Sequence, residues 1–102
     1  MTMDPDKPDI QISDVVISTA GRDAGSYFYV IAMDETFVFL ADGKGRTLDK
    51  PKRKKRKHIE KVLRSETRVA AELLSGDKVL NGELRRDLAS FCRGMQAENR
   101  GG

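Results

Sequence analysis

Up to about residue 63 the apolar residues come in short, closely spaced runs. Asp14–Thr19 (DVVIST), Ser26–Met33 (SYFYVIAM) and Thr36–Ala41 (TFVFLA) are rich in β-branched and aromatic side chains. Turn-forming residues bound each run, which predicts short strands of a small barrel. The connection Gly21-Arg22-Asp23-Ala24-Gly25 carries two glycines four apart, suited to positive φ or to close approach of another backbone. Asp34-Glu35 reads as a hairpin connection, and Asp42-Gly43-Lys44-Gly45 as a flexible turn. Thr47-Leu48 is a candidate for a short fourth strand. His58–Leu63 (HIEKVL) is read as the last strand, with Ile59 and Leu63 pointing inward.

Beyond Leu63 the period changes. Ser65 is a good N-cap for a helix over about Glu66–Leu74, where Val69, Ala70, Leu73 and Leu74 form an apolar stripe. Ser75-Gly76-Asp77 stops it. Asn81 would cap a second helix over about Gly82–Met95, with Leu84, Leu88, Phe91, Cys92 and Met95 as its stripe. Each helix is too short to stand alone, so both are expected to pack back onto the barrel or on each other. The organisation expected is a flexible leader at 1–9, a barrel at 10–64 with a basic loop at 50–57, a helical hairpin at 65–96 and a frayed end at 97–102. The fold class is mostly β with an α tail.

Charge changes this picture. The chain has 19 Lys and Arg against 16 Asp and Glu, a net charge of only +3. Seven of the basic residues lie within Lys50–Lys57, interrupted only by Pro51. The rest of the chain is mildly acidic, so the protein carries one concentrated cationic element, which suggests a polyanionic partner. Like charges repel and the run offers no apolar face, so it is expected to stay a solvated loop. One cysteine and one histidine are too few for a conventional metal site. No Ser/His/Asp set, phosphate-binding loop or nucleotide fingerprint is present, so no enzymatic activity, cofactor or metal is expected. No apolar run approaches the ~20 residues of a membrane span, and the acidic, proline-containing start is unlike a secretory signal. A cytoplasmic monomer is the default.

The stretch VVISTAGRDAG, the continuation LADGKGR and then LDKPKRKKRKH together resemble a KOW motif. Over roughly Gln11–Leu63 the chain is similar to bacterial KOW-domain RNA-binding proteins. These are relatives of archaeal and eukaryotic large-subunit ribosomal proteins that begin with such a barrel. The tail segment SGDKVLNGELRRDL is similar to the small bacterial members. The resemblance implies a five-stranded SH3-like barrel that binds RNA, commonly ribosomal RNA. It carries Gly21, Arg22 and Gly25, then Asp42, Gly43 and Lys44, then Lys54, Lys55, Lys57 and His58 over as motif positions. Ser26 departs from the pattern where many members have Lys or Arg. Ser13-Asp14 departs where a glycine often opens the motif.

The chemistry agrees with that implication. Lys and Arg neutralise phosphates and release counterions; Arg also forks onto phosphate or stacks on a base. The expected RNA-binding set is Arg22, Lys44, Arg46, Lys50, Lys52, Arg53, Lys54, Lys55, Arg56, Lys57 and His58, with Gly21, Gly25 and Gly43 letting RNA approach the main chain. A localisation signal or a merely solubilising loop are the bland readings of the run. Tyr27, Phe28 and Tyr29 are read first as structural. With no Trp, and aromatics inside strand-like runs, a structured RNA is expected over a long single strand. Ribosomal proteins are possible further partners. The competing function is a protein-interaction adaptor of the transcription or translation machinery, presenting Leu84, Leu88 and Phe91 from the tail helices.

Overall fold

A computed structural model describes residues 10–65 and 67–100. The expected leader at 1–9, Glu66, the last two residues and the side chain of Met95 lie outside the described part. Five strands come first: β1 (Asp14–Ser18), β2 (Tyr27–Met33), β3 (Phe37–Ala41), β4 (Lys52–Lys55) and β5 (Ile59–Arg64). Two helices follow, α1 (Arg68–Ser75) and α2 (Asn81–Arg100). The strands form one antiparallel sheet in the order β4-β3-β2-β1-β5. The architecture is mostly β with an α tail, as the segment pattern predicts. Among the described residues no helix is long and apolar enough to cross a membrane.

The sheet is apolar on both faces, because its strands carry apolar residues at successive positions. Val16, Phe28, Val30, Val38, Leu40 and Ile59 join Ile10 in one core. No helical residue belongs to it, so the sheet must curl over this core to keep it from water. Register shifts between Val15 and Val16 and between Val30 and Ala32 supply the bends. β4 and β5 end the ladder and are joined by a 3₁₀ turn at Arg56–His58, so the sheet found is curled, with no pairing between its ends among the described residues.

The alternate positions face the helices. Val15, Tyr29 and Ala41 pack with Val69, Ala70, Leu84 and Leu88 in a second core. Tyr27 meets Phe91 edge-on, with ring centroids 5.6 Å apart. A polar knot fixes this layer. The Asp87 carboxylate on α2 accepts from the Tyr29 hydroxyl and, at 2.9 Å, from Thr67 Oγ1. Ser65 Oγ lies 3.1 Å from the same Tyr29 hydroxyl. Burial, reinforced by the Asp87 charge, pushes the Tyr29 phenol up to about 12.

Several local expectations are corrected. The α1 cap is Thr67, whose Oγ1 accepts from Ala70 N–H at 3.2 Å; Ser65 is spent on Tyr29 instead. Asn81 does not cap its own helix. Its Oδ1 accepts from Leu48 N–H at 2.7 Å, while Glu83 Oε1 takes the Leu80 N–H at 3.2 Å. α2 runs on to Arg100, past the end expected near Met95. Leu63 and Leu74 are exposed, since each falls on the side of its element away from both cores. Thr47 makes only an isolated bridge to Lys50 and no strand.

Gly43 explains how the tail docks. It is buried with φ +79°, and a Cβ there would stand 2.2 Å from Asn81 O and 2.8 Å from Arg85 N. Only hydrogen at this position lets the first turn of α2 sit on the β3–β4 connection. Gly43→Ala is expected to cost about 2–4 kcal/mol through combined overpacking and left-handed strain. Gly25→Ala, at φ +91° but with nothing within 4 Å, is expected to cost about 1–2 kcal/mol from strain alone. Urea unfolding of both variants checks the difference.

Candidate nucleic-acid interface

The cationic run is where the structure departs most from the solvated loop expected at 50–57. Lys52–Lys55 forms β4, pairing Lys52 with Leu40, Arg53 with Phe39, Lys54 with Val38 and Lys55 with Phe37. A strand needs no apolar residues of its own if its backbone bonds are satisfied by a neighbour and its charges find partners or water. Directly opposed residues share a face, so Lys52 and Lys54 lie on the side of Val38 and Leu40. Both meet the same carboxylate there. Lys54 Nζ is 2.6 Å from Asp23 Oδ1 and donates to Ala20 O at 2.5 Å. Lys52 Nζ is 3.0 Å from Asp23 Oδ2, and Ser18 Oγ donates to Asp23 Oδ1 at 2.9 Å. Burial of Asp23 opposes ionisation, but the Lys54, Lys52 and Ser18 hydrogen bonds outweigh it and hold the carboxyl far below the usual range.

Lys54 is 8% exposed and Lys52 is ion-paired, so these two members of the expected RNA-binding set are engaged by Asp23 within the fold. Arg53 and Lys55 point the other way and are exposed. Arg53 lays its guanidinium over Phe37, 4.6 Å from the ring centroid. Lys57 and Lys50 are also exposed, and Arg56 is half-buried with its guanidinium 3.5 Å from Asp34 O. The Asp34 carboxylate accepts from Phe37 and Thr36 N–H at 2.7 and 2.8 Å, and those two bonds keep it below the ordinary aspartate range. His58 is half-buried, and its carbonyl accepts from Thr19 N–H at 2.9 Å.

The clamp on Asp23 carries its neighbour with it. Arg22 is exposed on the Gly21–Gly25 loop, and the loop is tethered to β4 through Asp23. The loop that carries Arg22 is thereby held next to β4, on the side that Lys52 and Lys54 face. Gly21 and Gly25 have positive φ, and both are exposed. Gly43 is not a point of RNA approach, because α2 covers it. Lys44 and Arg46 are exposed on the turn organised by Asp42, whose Oδ1 accepts from both of their N–H groups at 2.9 Å. That turn abuts the start of α2, which places exposed Arg85 beside them.

Three participants escaped the sequence reading. Phe37 and Phe39 are half-buried and belong to neither core, and Asp23 organises the edge. The run from Phe37 to Leu40 is apolar throughout, so only the pleat, with Val38 and Leu40 inside, turns the phenylalanines out. Nothing local marked Asp23 as the partner of residues 29 and 31 positions away. No protein-family model matches the chain, and no curated protein matches it.

Removing Lys54 leaves Asp23 shielded from water with only Lys52 as counterion. Lys54→Ala is expected to lower unfolding stability by about 1–3 kcal/mol, and Lys55→Ala by no more than about 0.5 kcal/mol. Because folding depresses the Asp23 pKa, its contribution is full above the unfolded value near 4 and is lost as pH falls below it. Denaturant midpoints measured from pH 6 to pH 2 should drop below pH 4 in the wild type, and less steeply in Asp23→Asn.

Proposed function

We propose that this chain is a non-catalytic RNA-binding protein of the KOW type, working in the cytoplasm on ribosomal RNA or the large ribosomal subunit. The observation that carries the RNA reading is the alternation of β4. Of its four cations, two are ion-paired to Asp23 and two are held outward on the edge strand, with exposed Lys57 following along the chain. Among the described residues, Arg22, Arg53, Lys55 and Lys57 have no carboxylate within 4.0 Å. Cations left unpaired on a fixed scaffold present a phosphate-binding surface whose geometry is already set before RNA arrives. The ribosomal target and the SH3-like identity of the curled sheet rest on the resemblance of the GRDAG, ADGK and KRKKRKH segments to KOW sequences.

The adaptor alternative is weaker on this structure. Leu84 and Leu88, which it would present, are 0% and 6% exposed against the sheet, and Phe91 packs on Tyr27.

Five contacts, from Arg22, Arg53, Lys55, Arg56 and Lys57, give a log–log salt slope of roughly −3.5 to −4.5 for RNA binding. Changing Arg53, Lys55 and Lys57 to Gln should bring the slope to about −1.4 to −1.8 while leaving the unfolding midpoint unchanged. Filter binding of ribosomal RNA fragments across a salt series, beside circular-dichroism melts, measures both. Wild-type protein that retains no RNA at low salt would end the proposal.

A further inference from the structure

The RNA-binding reading leaves two aromatic rings on the outer face of the same edge without a role. Phe37 and Phe39 are two residues apart on β3, so both rings leave the sheet on one side. Lys55 stands opposite Phe37 and Arg53 opposite Phe39. Ala32, opposite Phe39 on β2, is exposed and too small to cover it. The four residues form a lattice of two rings and two cations, with neighbours about 5 Å apart across the strands and about 7 Å apart along them. Their inward neighbours Val38 and Leu40 are fully buried. The helices cover the outer face at Tyr29 and Ala41, and neither phenylalanine belongs to that second core.

We infer that this lattice takes an unpaired nucleotide of the RNA, its base stacked on the Phe37–Phe39 rings and its flanking phosphates held by Arg53 and Lys55. The inference rests on the RNA-binding reading and narrows its substrate class. A continuous A-form helix keeps its base faces stacked on one another and offers a protein only its backbone, 2′-hydroxyls and groove edges. Against such a helix the two rings would gain nothing. A base from a loop, bulge or end has a free π-face, and stacking on an aromatic side chain tolerates any base. The position of Arg53 fits this use. Its planar guanidinium already lies on Phe37, 4.6 Å from the centroid, so the ring face is open to a flat cation from the solvent side. A base can take that place or stack on the guanidinium in turn, and a displaced Arg53 is then free to reach a phosphate.

The test compares two RNA probes with the full chain. One is a stem–loop with a single 5-iodouridine in its loop; the other is the same stem as a blunt duplex. The variants are Phe37→Leu, Phe39→Leu and the double change, which keep an apolar side chain at each position; thermal melts confirm that they fold. Wild-type protein is expected to prefer the stem–loop and to photocrosslink at Phe37 or Phe39. The double variant should lose about 5- to 100-fold in affinity for the stem–loop, while its duplex binding and its salt slope stay unchanged. Equal affinity for the two probes, with no effect of the phenylalanine changes, would overturn the stacking inference and leave the RNA reading intact. Failure of wild-type protein to bind either probe at low salt would overturn both.

Discussion

The candidate interface hangs on one carboxylate. Asp23 sits between Lys54 and Lys52, and three segments meet there: the β1–β2 loop, the end of β1 through Ser18, and β4. Without it, two lysines of β4 would face the apolar interior beside Val38 and Leu40 with no counterion, and a strand of that composition would not stay on the sheet. With it, both inward ammoniums share one counterion and the strand is held. The outward residues then follow from the pleat alone. Alternation makes Arg53 and Lys55 point away from the core because Lys52 and Lys54 point toward it. A buried ion pair is seldom a large net source of stability, since desolvation offsets much of the attraction. Its role here is to bind the two inward cations of β4 to the β1–β2 loop.

The helical layer solves a different problem. A small sheet with apolar residues on both faces can enclose only one face by curling. Val15, Tyr29, Ala41 and Ile31 would be left wet, and α1 and α2 are the cover. The cover is held by two polar devices. Asp87 gathers the Tyr29 and Thr67 hydroxyls; Asn81, at the start of α2, takes the Leu48 N–H, and Gly43 lets the helix backbone come close. The helices stop short of Phe37 and Phe39. The tail therefore shapes the candidate interface by leaving part of the outer face uncovered.

Much of the fold was legible in the chain. The β-branched runs marked three strands to within a residue or so, the Gly21–Gly25 and Asp34-Glu35 turns were placed correctly, and the change of period after Leu63 announced the helices. Local chemistry failed where long-range partners decided the outcome. Lys52–Lys55 carries no strand signal, because its strand character is supplied by β3 and its charge balance by Asp23. Ser65 and Asn81 looked like caps because they are small polar residues ahead of apolar stripes. Both were claimed by more distant groups, Tyr29 and Leu48. Ser13 is instructive in the opposite sense. The resemblance to a KOW motif leads one to expect glycine near Ser13-Asp14, and the Ser13 φ of +77° is a conformation that glycine takes without strain. In the candidate site the sequence marked the cationic segment and could not divide it. Which cations are structural and which face solvent depended on parity, and parity was set by a contact with residue 23.

An edge strand made only of cations has a second physical explanation, and weighing it bears on function. Exposed edges invite pairing with other chains, and a lysine or two is a common protection. That need would be met by one charge aimed outward from β4. The chain has two there, then Arg56 and Lys57 directly after the strand. It also sets two phenylalanines on the same outer face, the opposite of what protection against association calls for. Cations in excess of edge protection, mixed with rings that no core claims, are costly on a surface meant only to stay soluble. They make sense together on a surface that meets a polyanion with flat, apolar-faced bases.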